Sequence, residues 1–492
     1  MRRRDFLKLS ATGVATIVMG TSIPFLGVKN VYAVTQTLEI TITDAIKEMV
    51  THNAINDARC YFWVYRMRAN GVDIPVDCPG PAIYAVTGDS ITISITNSLD
   101  EPHSFFIPGR LPGDPAQFDS GPIPPNGTFS GTFTATRSGA YLYYDNLNEP
   151  VNRVMGLHGA LVVRPAAAVN GNNFTPYDNP TPYVQKLYNA FGTSVFPGLK
   201  WEEGDTDFNL PNPTPSFRQY AHVYHQASPN LFAEVGDFPA GQIYPAAQFM
   251  RKFLRDPFSP TRNNGKPQYF TINGQSGFFS HASPGITPIN RVGEPVVMHI
   301  LNAGLHTHSM HFHCNHFYVT SINGEVTPNP IWADVYGIKP MERIDYTFPF
   351  MRPPDLANVR GIGRPDQPLR TIAGKFVWPP QDEMQTFIPS LGTTALAADG
   401  STEIEMHQRL SPLCYPAHDH LEPSQTAQGG NYNCGLITGA YVIGDRNAQS
   451  QGLGNFRDFP MDVDFAKMFR NIRGLAVNGV KATREASGPR PA

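Results

Sequence analysis

The chain has 492 residues and a formal net charge of -3, which is long enough for two or three domains with sizeable cores. Charged residues make up only 16% of it, and this excludes the strongly basic surface of a nucleic-acid-binding protein or of a polybasic membrane contact. With 46 prolines, 43 glycines and 11% aromatic residues, the composition favours many short strands joined by turns and predicts an all-β sandwich protein.

The first 33 residues form the first predicted segment. They begin MRRRDFLKLSATGVATIVMG, with Arg3 and Arg4 ahead of a weakly apolar run, and Ala33 offers a cleavage point. This pattern resembles a twin-arginine export signal. The alternative is a membrane anchor, but Gly20 and Pro24 interrupt the apolar run, and no other segment approaches the length needed to span a bilayer. We therefore expect a periplasmic or otherwise extracytoplasmic protein without a membrane span in the mature chain.

Residues 34–166 are predicted to form the N-terminal domain. The runs TLEITIT, YFWVYRM, AIYAVTGDSITISITN, GTFSGTFTATRSGAYLYYD and GLHGALVVRP alternate as strands do, and Gly, Pro, Asn or Asp bounds each of them. This pattern is typical of a Greek-key sandwich.

Residues 167–216 are rich in Pro, Asn, Thr and Gly with little periodicity, which predicts a connector or insertion. Strand patterns resume at RQYAHVYHQ, and a short helix is predicted over 249–258. The runs YFTINGQSG and GEPVVMHILNAG then open a C-terminal domain over 217–446, which closes with GLITGAYVIG. Residues 447–492 are predicted to be a tail.

The most concentrated feature of the sequence is HTHSMHFHCNHF, which starts at His306 and places five of the fifteen histidines within eleven positions. Side chains of a strand alternate between its faces, so His311 and His313 share one face while His306, His308 and His316 share the other. Two imidazoles at positions i and i+2 can bind one metal ion.

A second pair, His418 and His420, stands at the same spacing around Asp419. Two such strands side by side would bring four imidazoles together. Copper, zinc and iron all accept imidazole ligands, so the residues alone leave the metal open.

The spacing H-x-x-H-x-H in His308, His311 and His313, followed by the H-x-H pair, resembles the copper motifs of the multicopper oxidase superfamily. The resemblance implies two, or three, cupredoxin-like Greek-key β-sandwich domains and copper as the cofactor. In that family the first histidine of the triplet binds a blue type 1 copper, and the others bind a trinuclear cluster. His308 matches the type 1 ligand, whereas His311, His313, His418 and His420 match cluster ligands.

Two departures from the family pattern indicate an incomplete copper set. Asp419 stands where the family has the type 1 cysteine, which supplies the thiolate of blue copper. The N-terminal domain, which in the family supplies two His-x-His motifs, has HSFFIPG and YYDNLNEP in those places, so only His103 and His158 remain nearby.

The five cysteines leave alternatives open in an oxidising compartment. Cys60 with Cys78 and Cys414 with Cys434 are each close in sequence, which would leave Cys314 unpaired. Cys414 is alternatively a copper thiolate, because CYPAH resembles the turn of small blue copper proteins with one residue added.

We interpret the sequence as that of an exported copper-dependent oxidoreductase acting on a small molecule or a metal ion, with metal ligands His308, His311, His313, His418 and His420. Glu422 is either a carboxylate that orients an imidazole or a surface charge. The alternative function is a non-catalytic protein on the same scaffold, for copper binding or cell-envelope structure.

Overall fold

The computed structural model describes part of the chain, and every structural statement below concerns these residues: 35–49, 58–74, 80–166, 175–190, 217–255, 268–276, 280, 286–292, 296–313, 316–348, 394–396, 403–405, 413–426 and 434–445. The predicted signal segment and tail lie outside them. So do Cys78, Cys314 and the side chain of Cys414, and the cysteine pairings therefore stay predictions.

The N-terminal half contains ten strands and one short helix. The strands are β1 (Thr35–Met49), β2 (Ala58–Ala69), β3 (Val72–Asp73), β4 (Ile83–Val86), β5 (Ser90–Asn97), β6 (Phe106–Ile107), β7 (Phe118–Asp119), β8 (Thr128–Thr134), β9 (Gly139–Tyr144) and β10 (His158–Arg164), and the helix is α1 (Val151–Val154). They form two sheets, with the orders β3-β2-β1-β5-β8 and β4-β10-β9-β6-β7.

The C-terminal half begins with β11 (Arg218–Ala227) and is again mostly strands. The others are β12 (Tyr269–Ile272), β13 (Ile289–Val292), β14 (Val296–Asn302), β15 (His308–Phe312), β16 (Phe317–Ile322), β17 (Glu325–Ala333), β18 (Val335–Ile338), β19 (Arg343–Phe348), β20 (Thr394–Leu396), β21 (Glu403–Glu405), β22 (Leu413–Asp419) and β23 (Ile437–Asp445). Two larger sheets have the orders β12-β11-β14-β19-β16-β17 and β13-β23-β22-β15-β18, and β20 pairs with β21. The predicted all-β class is confirmed.

The two halves share one strand topology. In each, a parallel pair leads into an antiparallel third strand, β1-β5-β8 in the first half and β11-β14-β19 in the second. In the facing sheets, β4-β10-β9-β6 corresponds in the same way to β13-β23-β22-β15. The strand pair β6–β9 of the first half therefore occupies the place of β15–β22 in the second.

Alternation and turn chemistry explain the strands. Along β5, Ile91, Ile93 and Ile95 are buried while the residues between them are more exposed, which is the period of a strand with one face on a core. The two-residue loops Asn70-Gly71 and Asn323-Gly324 have positive φ at both positions, as the tight hairpin turns between β2 and β3 and between β16 and β17 require.

The predicted connector is partly folded. Within residues 167–216 the structure describes 175–190, where helix α2 (Pro182–Ala190) packs Val184, Leu187 and Tyr188 with Val297 and Tyr318 of the C-terminal half. The absence of periodicity over the whole span hid this one amphipathic helix.

Two further helices lie between β11 and β12, and they join the halves. These are α3 (Pro229–Gly236) and α4 (Ala246–Phe253). The sequence predicts a helix over 249–258; the observed one begins at Ala246 and ends at Phe253, and residues 256–258 lie outside the described part of the chain. Phe232 and Phe249 belong to the same buried cluster as Trp63 and Tyr65 of β2. Burial of such side chains stabilises each by about 1.5–3 kcal/mol, so a shared core holds this insertion against the N-terminal half.

Polar contacts also cross between the halves. Arg343 of β19 lies over the ring of Tyr141 at 4.5 Å and donates to the carbonyl oxygens of Ala140 and Arg110.

Among the described residues, no helix is both long and apolar enough to cross a membrane.

Candidate metal centre

The histidine-rich segment folds as β15 followed by a turn at His313, so the strand ends earlier than the sequence pattern predicts. The predicted alternation holds within it. His308, Met310 and Phe312 are buried, whereas His311 is only partly buried and His313 is exposed. His311 and His313 therefore share the outer face, with their ring centroids 5.0 Å apart.

The second pair lies next to the first. β15 pairs antiparallel with β22, and His311 stands directly opposite His418. The Nε2 atoms of His313 and His418 are 2.8 Å apart, and the ring of His420 lies 5.2 Å from the rings of both His311 and His418. The structure thus brings all four predicted cluster histidines together at one place on the sheet.

Three of these residues are close enough to hold one ion. The ligand nitrogens of His311, His313 and His418 all lie within 4.8 Å of one another. Imidazole nitrogens bind first-row metals at about 2.0 Å, so two nitrogens on one ion lie about 2.8–4 Å apart. The nitrogen donor set suits copper.

Backbone carbonyl groups orient two of the rings. The Nδ1 of His311 lies 3.0 Å from the carbonyl oxygen of Asp334, and the Nδ1 of His418 lies 3.3 Å from that of Asp419. A hydrogen on Nδ1 that is donated to a carbonyl leaves the lone pair on Nε2, which is the form that binds a metal. Sequence reasoning missed the role of Asp334, because it lies on the neighbouring β17–β18 turn and carries no motif.

The electrostatics favour neutral rings. Burial is the largest cause that lowers the pKa of His418, and the neighbouring rings of His313, His420 and His311 add to it against the opposing hydrogen bond to Asp419. Burial, followed by His311 and His420, also lowers the pKa of His313. Neutral imidazoles accept a metal ion without first releasing a proton.

His308 is not part of this group. Its ring lies on the inner face, as the alternation predicts, and points towards Asp419, with Nδ1 2.6 Å from the carboxylate oxygen Oδ2. Its Nε2 lies 2.5 Å from the side-chain amide of Gln226. Both ring nitrogens are therefore engaged by protein groups, and we leave His308 out of the candidate centre.

The other residues singled out from the sequence lie elsewhere. His316 stacks on Trp332 with 3.9 Å between the ring centroids, and His306 lies beside Phe270. Glu422 is exposed at the first position of helix α5 (Glu422–Thr426). Cys414 lies in β22 four positions before His418, which corresponds to about 13 Å along a strand, so the four-histidine group does not depend on it.

His103 and His158, the two N-terminal histidines that the structure describes, are interior residues. His103 is fully buried, with Nδ1 2.7 Å from Asp145 Oδ2, and Asn152 donates to the same oxygen at 3.0 Å. His158 is also buried, with Nδ1 2.7 Å from the Arg153 carbonyl oxygen, and its ring lies 4.6 Å from that of His225. Neither histidine belongs to a group of three or more ligand atoms within 4.8 Å of one another among the described residues.

Two protein-family models match the chain, and both describe multicopper oxidases. The first matches residues 65–168, and the second matches residues 254–353, which include His308, His311 and His313. The second match ends before His418. A search of curated proteins finds no match.

Solved structures with similar folds are copper proteins of low sequence identity. A blue copper oxidase from Nitrosomonas europaea is 18% identical over 83% of this chain and 86% of its own, with a TM-score of 0.44. The multicopper oxidase mgLAC is 17% identical over 83% and 86%, with a TM-score of 0.45. A copper nitrite reductase from Nitrosomonas europaea is 16% identical over 63% and 84%, with a TM-score of 0.37.

Proposed function

Because the chain belongs to the multicopper oxidase superfamily, we propose that it is an exported copper-dependent oxidoreductase with a reduced copper set, centred on His311, His313, His418 and His420. The two family domains imply copper as the cofactor. Bound copper would supply one-electron redox chemistry, and the substrate would be a small molecule or a metal ion.

The observation that carries the proposal is the convergence of ring nitrogens across β15 and β22. His311, His313 and His418 come from two strands, yet their ligand atoms lie within 4.8 Å of one another. A purely structural role gives no reason to collect like imidazoles on a partly exposed face, where each could bond to water alone.

The chain's own residues perform three tasks at this centre. The carbonyl groups of Asp334 and Asp419 fix the ring tautomers of His311 and His418. The strand pairing of His311 with His418 sets the distance between the two motifs. The exposure of His313 and His420 leaves the outer side of the centre accessible to a substrate.

The reduced copper set is supported by what occupies the family's other ligand positions. Asp419 replaces the type 1 cysteine and bonds to His308, and His103 bonds to Asp145 in the interior of the N-terminal half. Export is supported by the N-terminal sequence with Arg3 and Arg4. Intact-mass measurement of exported protein tests it, and a mass that retains Arg3 and Arg4 would contradict processing near Ala33.

Copper titration of the purified full chain, read by elemental analysis and electron paramagnetic resonance, tests the centre. We expect bound copper without the intense visible absorption of a copper thiolate, and a loss of affinity of at least about 10–100-fold in His418→Ala, because a coordinate bond is removed. His316→Ala is the control, since His316 lies in the same segment but stacks on Trp332.

Full copper occupancy in His418→Ala, or a wild-type chain that holds no copper after loading and dialysis, would contradict the centre. Turnover is measured separately, by oxygen consumption with phenolic, cuprous and ferrous substrates. A chain that binds copper at this centre but oxidises none of them would contradict the oxidoreductase proposal and leave copper binding alone.

A further inference from the structure

Directly beneath the candidate centre lies a buried pair of polar residues, His308 and Asp419. Both are 0% exposed. Asp419 is the residue between His418 and His420, and His308 lies three positions before His311. The pair therefore sits on the same two strands as the four histidines but on their inner face.

The Asp419 carboxylate accepts three hydrogen bonds, two from β15 and one from the chain just after β22. Its Oδ2 accepts from His308 Nδ1 at 2.6 Å, and its Oδ1 accepts from the backbone N–H groups of Ser309 at 2.9 Å and Leu421 at 3.1 Å. Hydrogen bonds to an ionised carboxylate are about twice as strong as those between neutral groups. The carboxylate thus joins the start of β15 to the segment that carries His418 and His420.

Gln226 of β11 holds the far side of His308. Because the Nδ1 hydrogen is donated to Asp419, Nε2 carries the lone pair and accepts from the Gln226 amide. The amide oxygen of Gln226 in turn accepts from the backbone N–H of Leu305 at 2.8 Å. A Cβ atom at Gly304 would lie 2.1 Å from that oxygen, so the glycine leaves the room that the Gln226 side chain occupies.

We infer that Asp419 is a positioning residue: it fixes β15 against the His418–His420 segment through His308, so that the four rings converge, and it binds no metal itself. This inference rests on the proposed function. At the positions that match the family's type 1 ligands, this chain has a hydrogen-bonded histidine–aspartate pair, whose role in our inference is to hold the four-histidine centre in shape.

The test uses copper-loaded full chain and the variant Asp419→Asn. Asparagine keeps one oxygen for the N–H groups of Ser309 and Leu421 but turns an NH₂ group towards His308 Nδ1. We expect copper to saturate at the wild-type stoichiometry with a dissociation constant about 10–100-fold weaker, as for other residues that orient metal ligands. The hyperfine coupling in the paramagnetic resonance spectrum should change, because the ring positions change.

Asp145→Asn is the matched control. Asp145 is likewise 0% exposed and bonded to a buried histidine, His103, but it lies in the other half of the chain. It should lower the stability of the fold and leave both the copper dissociation constant and the spectrum unchanged. A change that follows from destabilisation alone would appear in both variants.

Two further variants keep the test decisive if Asp419→Asn folds poorly. Gly304→Ala must displace the Gln226 side chain, so copper binding should become about 2–10-fold weaker. This loss is smaller than the one expected for Asp419→Asn, because Gly304 acts on the orienting pair only through Gln226. His308→Gln combined with Asp419→Asn should lose no more affinity than the worse single variant, because the two residues act as one unit.

Three outcomes would overturn the inference. One is an Asp419→Asn dissociation constant within about twofold of the wild type, well below the loss expected for an orienting residue. Another is a lower saturating stoichiometry with an unchanged spectrum, which would make Asp419 a ligand of a second copper. The third is losses in the His308 and Asp419 variants that simply add. The proposed function fails separately, if the wild type itself binds no copper.

Discussion

The strand pair β15–β22 in the C-terminal half occupies the same place in the topology as β6–β9 in the N-terminal half. The histidines near the two pairs differ in burial and in hydrogen-bond partners. At β15–β22, the rings of His311, His313, His418 and His420 lie together on a partly exposed face, and the ligand nitrogens of the first three lie within 4.8 Å of one another. Beside β6–β9, His103 is fully buried and bonded to Asp145. Equivalent positions in a repeated topology therefore do not imply equivalent chemistry.

The difference lies in which ring nitrogen is already engaged. Burial removes water from a histidine, so its polar atoms need protein partners, and His103 and His308 both have a carboxylate at Nδ1. On the outer face, carbonyl groups engage only one nitrogen of His311 and of His418. A histidine is a candidate ligand in this chain where a carbonyl group orients one ring nitrogen and the other ring nitrogen lies near those of neighbouring imidazoles.

The N-terminal group is a polar network of the interior. Asp145 accepts from Ser104 at 2.8 Å and from the backbone N–H of Leu147 at 2.8 Å in addition to His103 and Asn152. One carboxylate thus serves four donors. Such a group stabilises the fold only while it is complete.

Asp145→Ala should have the largest effect of these variants, and it should change only the stability of the fold. Removing the carboxylate leaves His103 and Asn152 buried without this acceptor, and breaking a buried polar pair in this way costs about 3–5 kcal/mol. The free energy of unfolding from urea denaturation measures it. A loss of unfolding free energy below about 1 kcal/mol, which is typical of an average point mutation, would show that the fold does not need the network. A change in copper affinity would contradict the proposed difference between the two halves.

Lowering the pH should destabilise the copper-free chain through its interior histidines. Burial lowers the pKa of His222 to about 4 and that of His225 to about 3. The unfolded chain binds protons first, below about pH 6.5, so stability is complete above that pH and is lost as the pH falls towards the folded pKa values. His222 alone contributes a loss on the order of 3 kcal/mol across this window.

Urea midpoints at pH 7, 5.5 and 4.5 measure this dependence. His222→Gln keeps a donor for the carbonyl oxygen of Ile286, which His222 contacts at 2.6 Å, but it removes the proton linkage, so its stability should fall less steeply. A variant that follows the wild-type pH profile would show that His222 does not titrate in this window.

His316→Ala should give the smallest effect, and it separates stacking from metal binding within one segment. Loss of the stack on Trp332 should cost about 0.5–1.5 kcal/mol of stability. Added copper should still raise the unfolding temperature as it does in the wild type, because a ligand that binds only the folded state stabilises it. His311→Ala should show the reverse pattern, with little change in copper-free stability and no rise with copper; the same pattern in both variants would contradict the separation.

The sequence by itself determined the fold class and predicted which four histidines form the candidate centre. Alternating runs such as SITISITN predict strands because one face of a strand meets a core, and the family motifs identify His311, His313, His418 and His420. The i and i+2 spacing alone places each pair on one face, because side chains on a strand alternate with a period of two. The folded segment 182–190 was missed, since one short amphipathic helix is lost among irregular residues.

Only the tertiary structure decided which histidines belong together. The alternation puts His308 and His311 on opposite faces, but it does not show that Asp419 and Gln226 engage both nitrogens of His308. Nor does it show that the carbonyl of Asp334 orients His311. These partners lie between 23 and 111 positions away in the chain, and the packing of sheets sets such long-range contacts, whereas local pattern sets only the face on which a side chain lies.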